Sequence, residues 1–107
     1  MREPQQGEIW WARLPSPHGR RPVLVLTRSA ALPVLTNVTV APLTRTKRHP
    51  PAEVALGPRD DVPTACVVSL ENILTIRKAS LDKAITQLSG EKMTAVFSAI
   101  RYALDIP

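Results

Sequence analysis

One cysteine, one phenylalanine, one tyrosine and four glycines in 107 residues are what this chain is poorest in, and each scarcity closes off a class of protein. A lone cysteine cannot form an internal disulfide, so the fold must stand on its core, and a reducing compartment is the expected setting. That residue, Cys66, lies in the apolar run Ala65-Cys66-Val67-Val68 with no histidine or acid close in sequence to activate it. It reads as a small buried hydrophobe rather than a nucleophile. No apolar run approaches membrane-spanning length and no segment resembles a signal peptide, which makes a cytoplasmic protein without a membrane contact the expectation.

What is there fits a single globular domain spanning residues 1–107. A hydrophobic content of 44% with 21% charged residues is ordinary for such a domain. Eleven prolines among so few aromatic side chains favour short strands and turns over a helical bundle. The net charge is +5. Its distribution is uneven: residues 1–50 hold eight Lys/Arg against Glu3 and Glu8, whereas residues 51–107 hold six basic and seven acidic groups. Basicity concentrated in one half is the footprint of a polyanion or of an acidic protein partner.

Along the chain, Glu8-Ile9-Trp10-Trp11-Ala12-Arg13-Leu14 has the aromatic and branched content of a strand, closed by the turn signal Pro15-Ser16-Pro17-His18-Gly19. Two adjacent tryptophans on a strand face opposite ways, so one enters the core and the other meets a ligand, a partner or solvent. Val23 to Leu26 reads as a second strand, covered on both faces. The pattern further predicts strands over Asn37–Leu43, Glu53–Leu56 and Ala65–Leu70, with Glu71–Lys78 as a bent continuation of the last. Ser80–Lys83 is expected to form one helical turn. A terminal helix is capped by Ser89, carries Glu91 in its first turn and shows an apolar stripe of Met93, Val96, Phe97, Ile100 and Leu104. Such a chain belongs to the mainly β class with α (α+β), as a small, strongly bent sheet or partly closed barrel.

Two strand exits carry the chemistry. Before the second strand stands Gly19-Arg20-Arg21-Pro22, where Pro22 biases Arg21 toward an extended backbone. The guanidinium fork of Arg21 matches a phosphate, and the alternative is a solvated basic turn. After the third strand comes Thr44-Arg45-Thr46-Lys47-Arg48-His49, the densest run of cations and hydroxyls in the chain, a composition suited to phosphate contacts.

Four motifs in order resemble the MazF/PemK toxins of bacterial toxin–antitoxin pairs: Gly7-Glu8-Ile9-Trp10, Arg21-Pro22-Val23-Leu24-Val25-Leu26, Val40-Ala41-Pro42-Leu43-Thr44, and Val67-Val68-Ser69-Leu70-Glu71-Asn72-Ile73 followed by Thr75-Ile76. The resemblance runs from Gly7 to the terminal helix. It implies an SH3-like barrel (MazF/CcdB-like) with a C-terminal helix, and a homodimer. It also implies metal-independent, cofactor-free cleavage of single-stranded RNA, and inhibition by a cognate antitoxin whose acidic segment fills the RNA groove. By position, Arg21 matches the family's catalytic arginine and Thr44 the hydroxyl residue that acts with it. The chain departs from some members in the loop before Arg21, which offers His18 instead of an acid, and in the fifth-strand motif, where Ser69 and Glu71 replace an arginine and an aspartate.

RNA brings its own nucleophile. A 2′-OH can attack the neighbouring phosphorus to give a 2′,3′-cyclic phosphate and a free 5′-OH, so the protein has only to stabilise charge and move protons. Arg21 suits the charge, and Thr44 can hold the phosphate in line. Glu71, His18 and His49 are the candidates for proton transfer, although an exposed loop or turn residue is the more ordinary reading of each. Arg20, Arg28, Arg45, Thr46, Lys47, Arg48, Ser69 and Asn72 are candidates for contacting RNA. Base preference is expected from unstacked bases held against aromatic groups, Trp10 or Trp11 being the large aromatics near the basic half. Two competing readings are a CcdB-like toxin that inhibits gyrase and a barrel that binds RNA without cutting it.

Overall fold

The computed structural model describes residues 2–107. Seven strands precede one helix: β1 (Glu8–Leu14), β2 (Gly19–Val25), β3 (Asn37–Thr44), β4 (Glu53–Leu56), β5 (Cys66–Ser69), β6 (Leu74–Arg77), β7 (Leu81–Gln87) and α1 (Gly90–Leu104). All pairings are antiparallel, in the order β4-β5-β3-β2-β1-β7, with β6 added to β3. The expected mainly β fold with a terminal helix is the one observed.

β3 is where the sheet divides. Its inner edge pairs with β2, whereas its outer edge gives Asn37–Val40 to β6 and then Leu43 and Thr44 to β5. The 3-10 turn Leu70–Asn72 separates β5 from β6 and lets each take half of the same strand. The bent sheet encloses two cores, and strand alternation sends successive residues to each. Ile9, Leu24, Ala41 and Leu43 enter one with Val96 and Ala99 of α1. Trp10, Val23, Val25 and Val40 enter the other with Leu32 and Leu81. Both faces of β2 are therefore buried, which accounts for its unbroken apolar run.

Four expectations need correction. β2 begins at Gly19, not Val23, so Arg20 and Arg21 are strand residues opposite Arg13 and Ala12. β6 is a strand of its own, paired with β3, rather than a bent continuation of β5. Ser80–Lys83 is no helical turn: Lys78–Ser80 form a 3-10 turn, and β7 starts at Leu81. Two register shifts against β1 interrupt the alternation of β7, which removes the period-two signal that marks a strand. On α1, Val96 and Ala99 are buried, but Phe97 is 37% and Leu104 57% exposed, so the packed face is rotated away from these two. Ser89 caps the helix as expected, its hydroxyl accepting from Lys92 N at 3.1 Å.

The opening motif has a structural reason. Gly7 has φ +90, and a side chain there would meet Met93 of α1 at 3.4 Å. Glu8 is buried, accepting from Trp10 Nε1 at 3.0 Å and Gln5 N at 2.8 Å and pairing with Arg2 at 2.8 Å. Burial pushes its carboxyl up, but the hydrogen bonds from Trp10, Arg2 and the Gln5 amide outweigh it and hold the pKa below its ordinary value. Trp10 is thereby the core tryptophan, and Trp11 is left half-buried on the opposite face of β1.

Candidate active site

β2 and β3 bring the two leading candidates to one groove. Val23 stands opposite Pro42 at the last paired rung of these strands, and Arg21 and Thr44 lie two residues beyond it. Strand alternation puts both on the same face as that pair. Both line a groove of about 740 Å³ at the mouth of the β1–β2–β3 sheet. Leu14, Pro42 and Leu74 supply apolar wall; Thr46 and Arg48 extend the floor from β3 into the following loop. The far bank is the β5–β6 corner, with Ser69, Glu71 and Asn72. His18 closes the end on the β1–β2 turn.

Several of these groups are already tied. Thr44 Oγ1 accepts from Thr46 N at 3.2 Å, which folds the basic loop back over the end of β3. Buried Ser69 accepts from Asn72 Nδ2 at 2.8 Å, fixing the corner. Glu53, which the sequence pattern marked only as a strand residue, also lines the groove, and its carboxylate accepts from Arg48 N at 3.0 Å. Arg21 differs. Among the described residues, its Nε is the one buried side-chain nitrogen or oxygen with no hydrogen-bond partner. A buried donor left unpaired costs about 1–3 kcal/mol. Arg21 also lines the groove, where the fork of its guanidinium suits an oxyanion.

Other candidates fall elsewhere. Arg20 points to the opposite face of β2, where its Nε binds Asp82 at 2.9 Å and its guanidinium lies 4.5 Å above the Trp11 ring. His49 does not line the groove; its Nε2 is 2.9 Å from the Tyr102 hydroxyl on α1. Arg45 lines a second cavity next to the groove, and Arg28 a shallow surface beside Thr27 and Asn37. Lys47 is exposed in the basic loop. Cys66, expected to be a buried hydrophobe, is half-buried and lines the second cavity. Its thiol is pushed above the ordinary value by burial and then by Asp60, against a weaker opposing pull from Arg45, and so stays protonated.

A bent antiparallel sheet ending in a helix, with a groove lined by both Arg21 and Thr44, marks the class of fold. Residues 5–104 match the PemK-like, MazF-like toxins of type II toxin–antitoxin systems, and the chain belongs to that family. It is 38% identical over 103 residues to the protein named "Probable endoribonuclease MazF5" of Mycobacterium tuberculosis, covering 95% of this chain and 94% of that one. It is 41% identical over 86 residues to "Endoribonuclease MazF3" of the same organism, covering 80% and 84%. The fold superposes on the Mycobacterium tuberculosis toxin MazF-mt6 with a TM-score of 0.86 at 38% identity, over 94% of this chain and 98% of that one. A mycobacterial endoribonuclease solved in complex with its cognate antitoxin gives a TM-score of 0.84 at 26% identity, over 97% of both chains.

Proposed function

We propose that this chain is an endoribonuclease toxin that cuts single-stranded RNA at phosphodiesters held between Arg21 and Thr44. The observation that carries this reading is that Arg21, whose Nε has no partner among the described residues, lines the same groove as Thr44. The family membership and the names of the relatives support the reaction class.

In the reaction, the 2′-oxygen bonds to phosphorus, the bond to the 5′-oxygen breaks, and the products are a 2′,3′-cyclic phosphate and a 5′-hydroxyl. Negative charge builds on the non-bridging oxygens, where Arg21 stabilises it. Thr44 donates its hydroxyl hydrogen to the same phosphate and keeps attacking and leaving oxygens in line. The 2′-OH proton passes to Glu71 or His18, both exposed in the groove, and the leaving oxygen takes a proton from a donor on the same floor. No step uses a metal or a cofactor. Thr46, Arg48, Ser69 and Asn72 hold the flanking backbone.

The partners proposed are single-stranded RNA, a cognate antitoxin whose acidic segment complements the same basic groove, and a second copy of the chain. Exposed Phe97, Tyr102, Leu104 and Ile106 support the self-association. No helix among the described residues is long and apolar enough to cross a membrane.

The test is to incubate purified protein with long single-stranded RNA in EDTA and map the ends. Discrete cuts with cyclic-phosphate or 3′-phosphate ends that vanish in Arg21→Ala are expected; intact RNA across varied sequences overturns the reading. A small acidic protein encoded beside this one should co-purify and block cleavage. Sedimentation should give twice the 11.7 kDa chain mass.

A further inference from the structure

The second cavity, of about 260 Å³, adjoins the groove and shares Thr44 with it. Strand alternation explains the arrangement. Arg21 and Thr44 occupy one face at the sheet's mouth, whereas Trp11, its cross-strand partner Pro22, and Leu43 make a row on the other. Cys66 and Thr64 close the end, and Arg45 stands on the rim. Thr44, at the end of β3, thus borders both a polar floor and an apolar slot.

Trp11 is held ready in that slot. The Arg20 guanidinium stacks on the ring at 4.5 Å, and Asp82 fixes Arg20 at 2.9 Å while also approaching Arg13 at 3.8 Å. The pair of contacts restrains a large aromatic that the core does not bury. A rigid, partly exposed indole beside a proline and an arginine is the surface on which proteins stack single-stranded bases.

We infer that the Trp11–Pro22–Leu43 cavity is a nucleobase subsite: it takes the unstacked base of a nucleotide flanking the phosphate bound at Arg21 and Thr44, and so sets base preference at one position beside the cut. This rests on the proposed nuclease reading. An RNA base is favoured over an apolar side chain of a protein partner because the cavity shares Thr44 with the phosphate groove and has Arg45 in its lining. A volume of about 260 Å³ suits one heterocycle.

The experiment compares cleavage of a randomised single-stranded RNA pool by the wild type, Trp11→Phe and Trp11→Ala. The wild type and Trp11→Phe should share a base preference at one position next to the cut, and Trp11→Ala should relax it by about tenfold while still cutting. Unchanged preference in Trp11→Ala overturns the subsite, as does a loss confined to binding of the acidic partner. Failure of the wild type to cut anything instead overturns the nuclease reading. A second measurement is independent of cleavage and of whether Trp11→Ala folds. Cys66 is the single cysteine and lines the slot, so a mixed-sequence oligonucleotide with 2′-deoxy sugars should slow its alkylation by N-ethylmaleimide in the wild type. Unaltered alkylation at saturating oligonucleotide overturns the proposal.

Discussion

The two faces of the sheet's mouth differ most sharply at two adjacent arginines. Arg20 is satisfied by the protein itself, with a carboxylate on one side and an indole beneath. Arg21, one residue on and therefore on the other face, has a buried Nε that nothing among the described residues satisfies. Sequence alone presents them as equivalent cations. The difference teaches that neighbouring cations can be used unequally: one is tied into the fold by a built-in partner, and the other is left with an open donor at some loss of stability.

Removing the open arginine should have the largest effect. Arg21→Ala is expected to lower the cleavage rate by about 10²–10³-fold, the scale of losing one preorganised charge-stabilising group, with a melting temperature no lower than the wild type's. Arg21→Lys should recover only part of the loss, because a lysine supplies charge without the fork. If Arg21→Ala cuts normally, the contrast between the two arginines has no functional content. Thr44→Val comes next, at about 10–100-fold in single-turnover rate, with Thr44→Ser close to wild type.

The far end of the groove-side face of β1 provides a control. Glu8→Gln removes a buried charge that accepts from Trp10 and pairs with Arg2, and should cost about 1–2 kcal/mol of stability at neutral pH without altering the sites cut. Because the folded pKa of Glu8 lies below its ordinary value, its contribution is present above the unfolded pKa and disappears as pH falls through the folded one. Melting curves of wild type and Glu8→Gln should therefore converge on acidification. Smallest of all, Asp82→Asn frees Arg20 and should change stability by under about 1 kcal/mol, since the pair is largely exposed, while loosening base preference a few-fold. A loss of activity in Asp82→Asn as large as that of Arg21→Ala would erase the distinction between the faces.

How much of this was legible follows from range along the chain. Arg21 and Thr44 stood out because each belongs to a compact motif, although Arg21 lies inside β2 and not before it, and β1, β3 and β4 were found at or near their true limits. That the tryptophans face opposite ways follows from strand geometry alone, but which one enters the core depends on Glu8 bonding Trp10. The role of Arg20 was hidden because Asp82 lies 62 residues away, and that of His49 because Tyr102 lies 53 away. β7 was missed because bulges scramble its alternation, and Glu53 because a strand carboxylate gives no sign of the groove it will border.

β3 waits for both halves of its outer neighbour. Its free edge stays uncovered until residues 66–77 arrive, and the same late segment brings Ser69, Glu71 and Asn72 to the groove. Because chains fold from the N-terminus as they are made, Arg21 and Thr44 emerge from the ribosome well before the bank that faces them. A nascent chain thus carries its cationic half before the cleft which that half will border is finished.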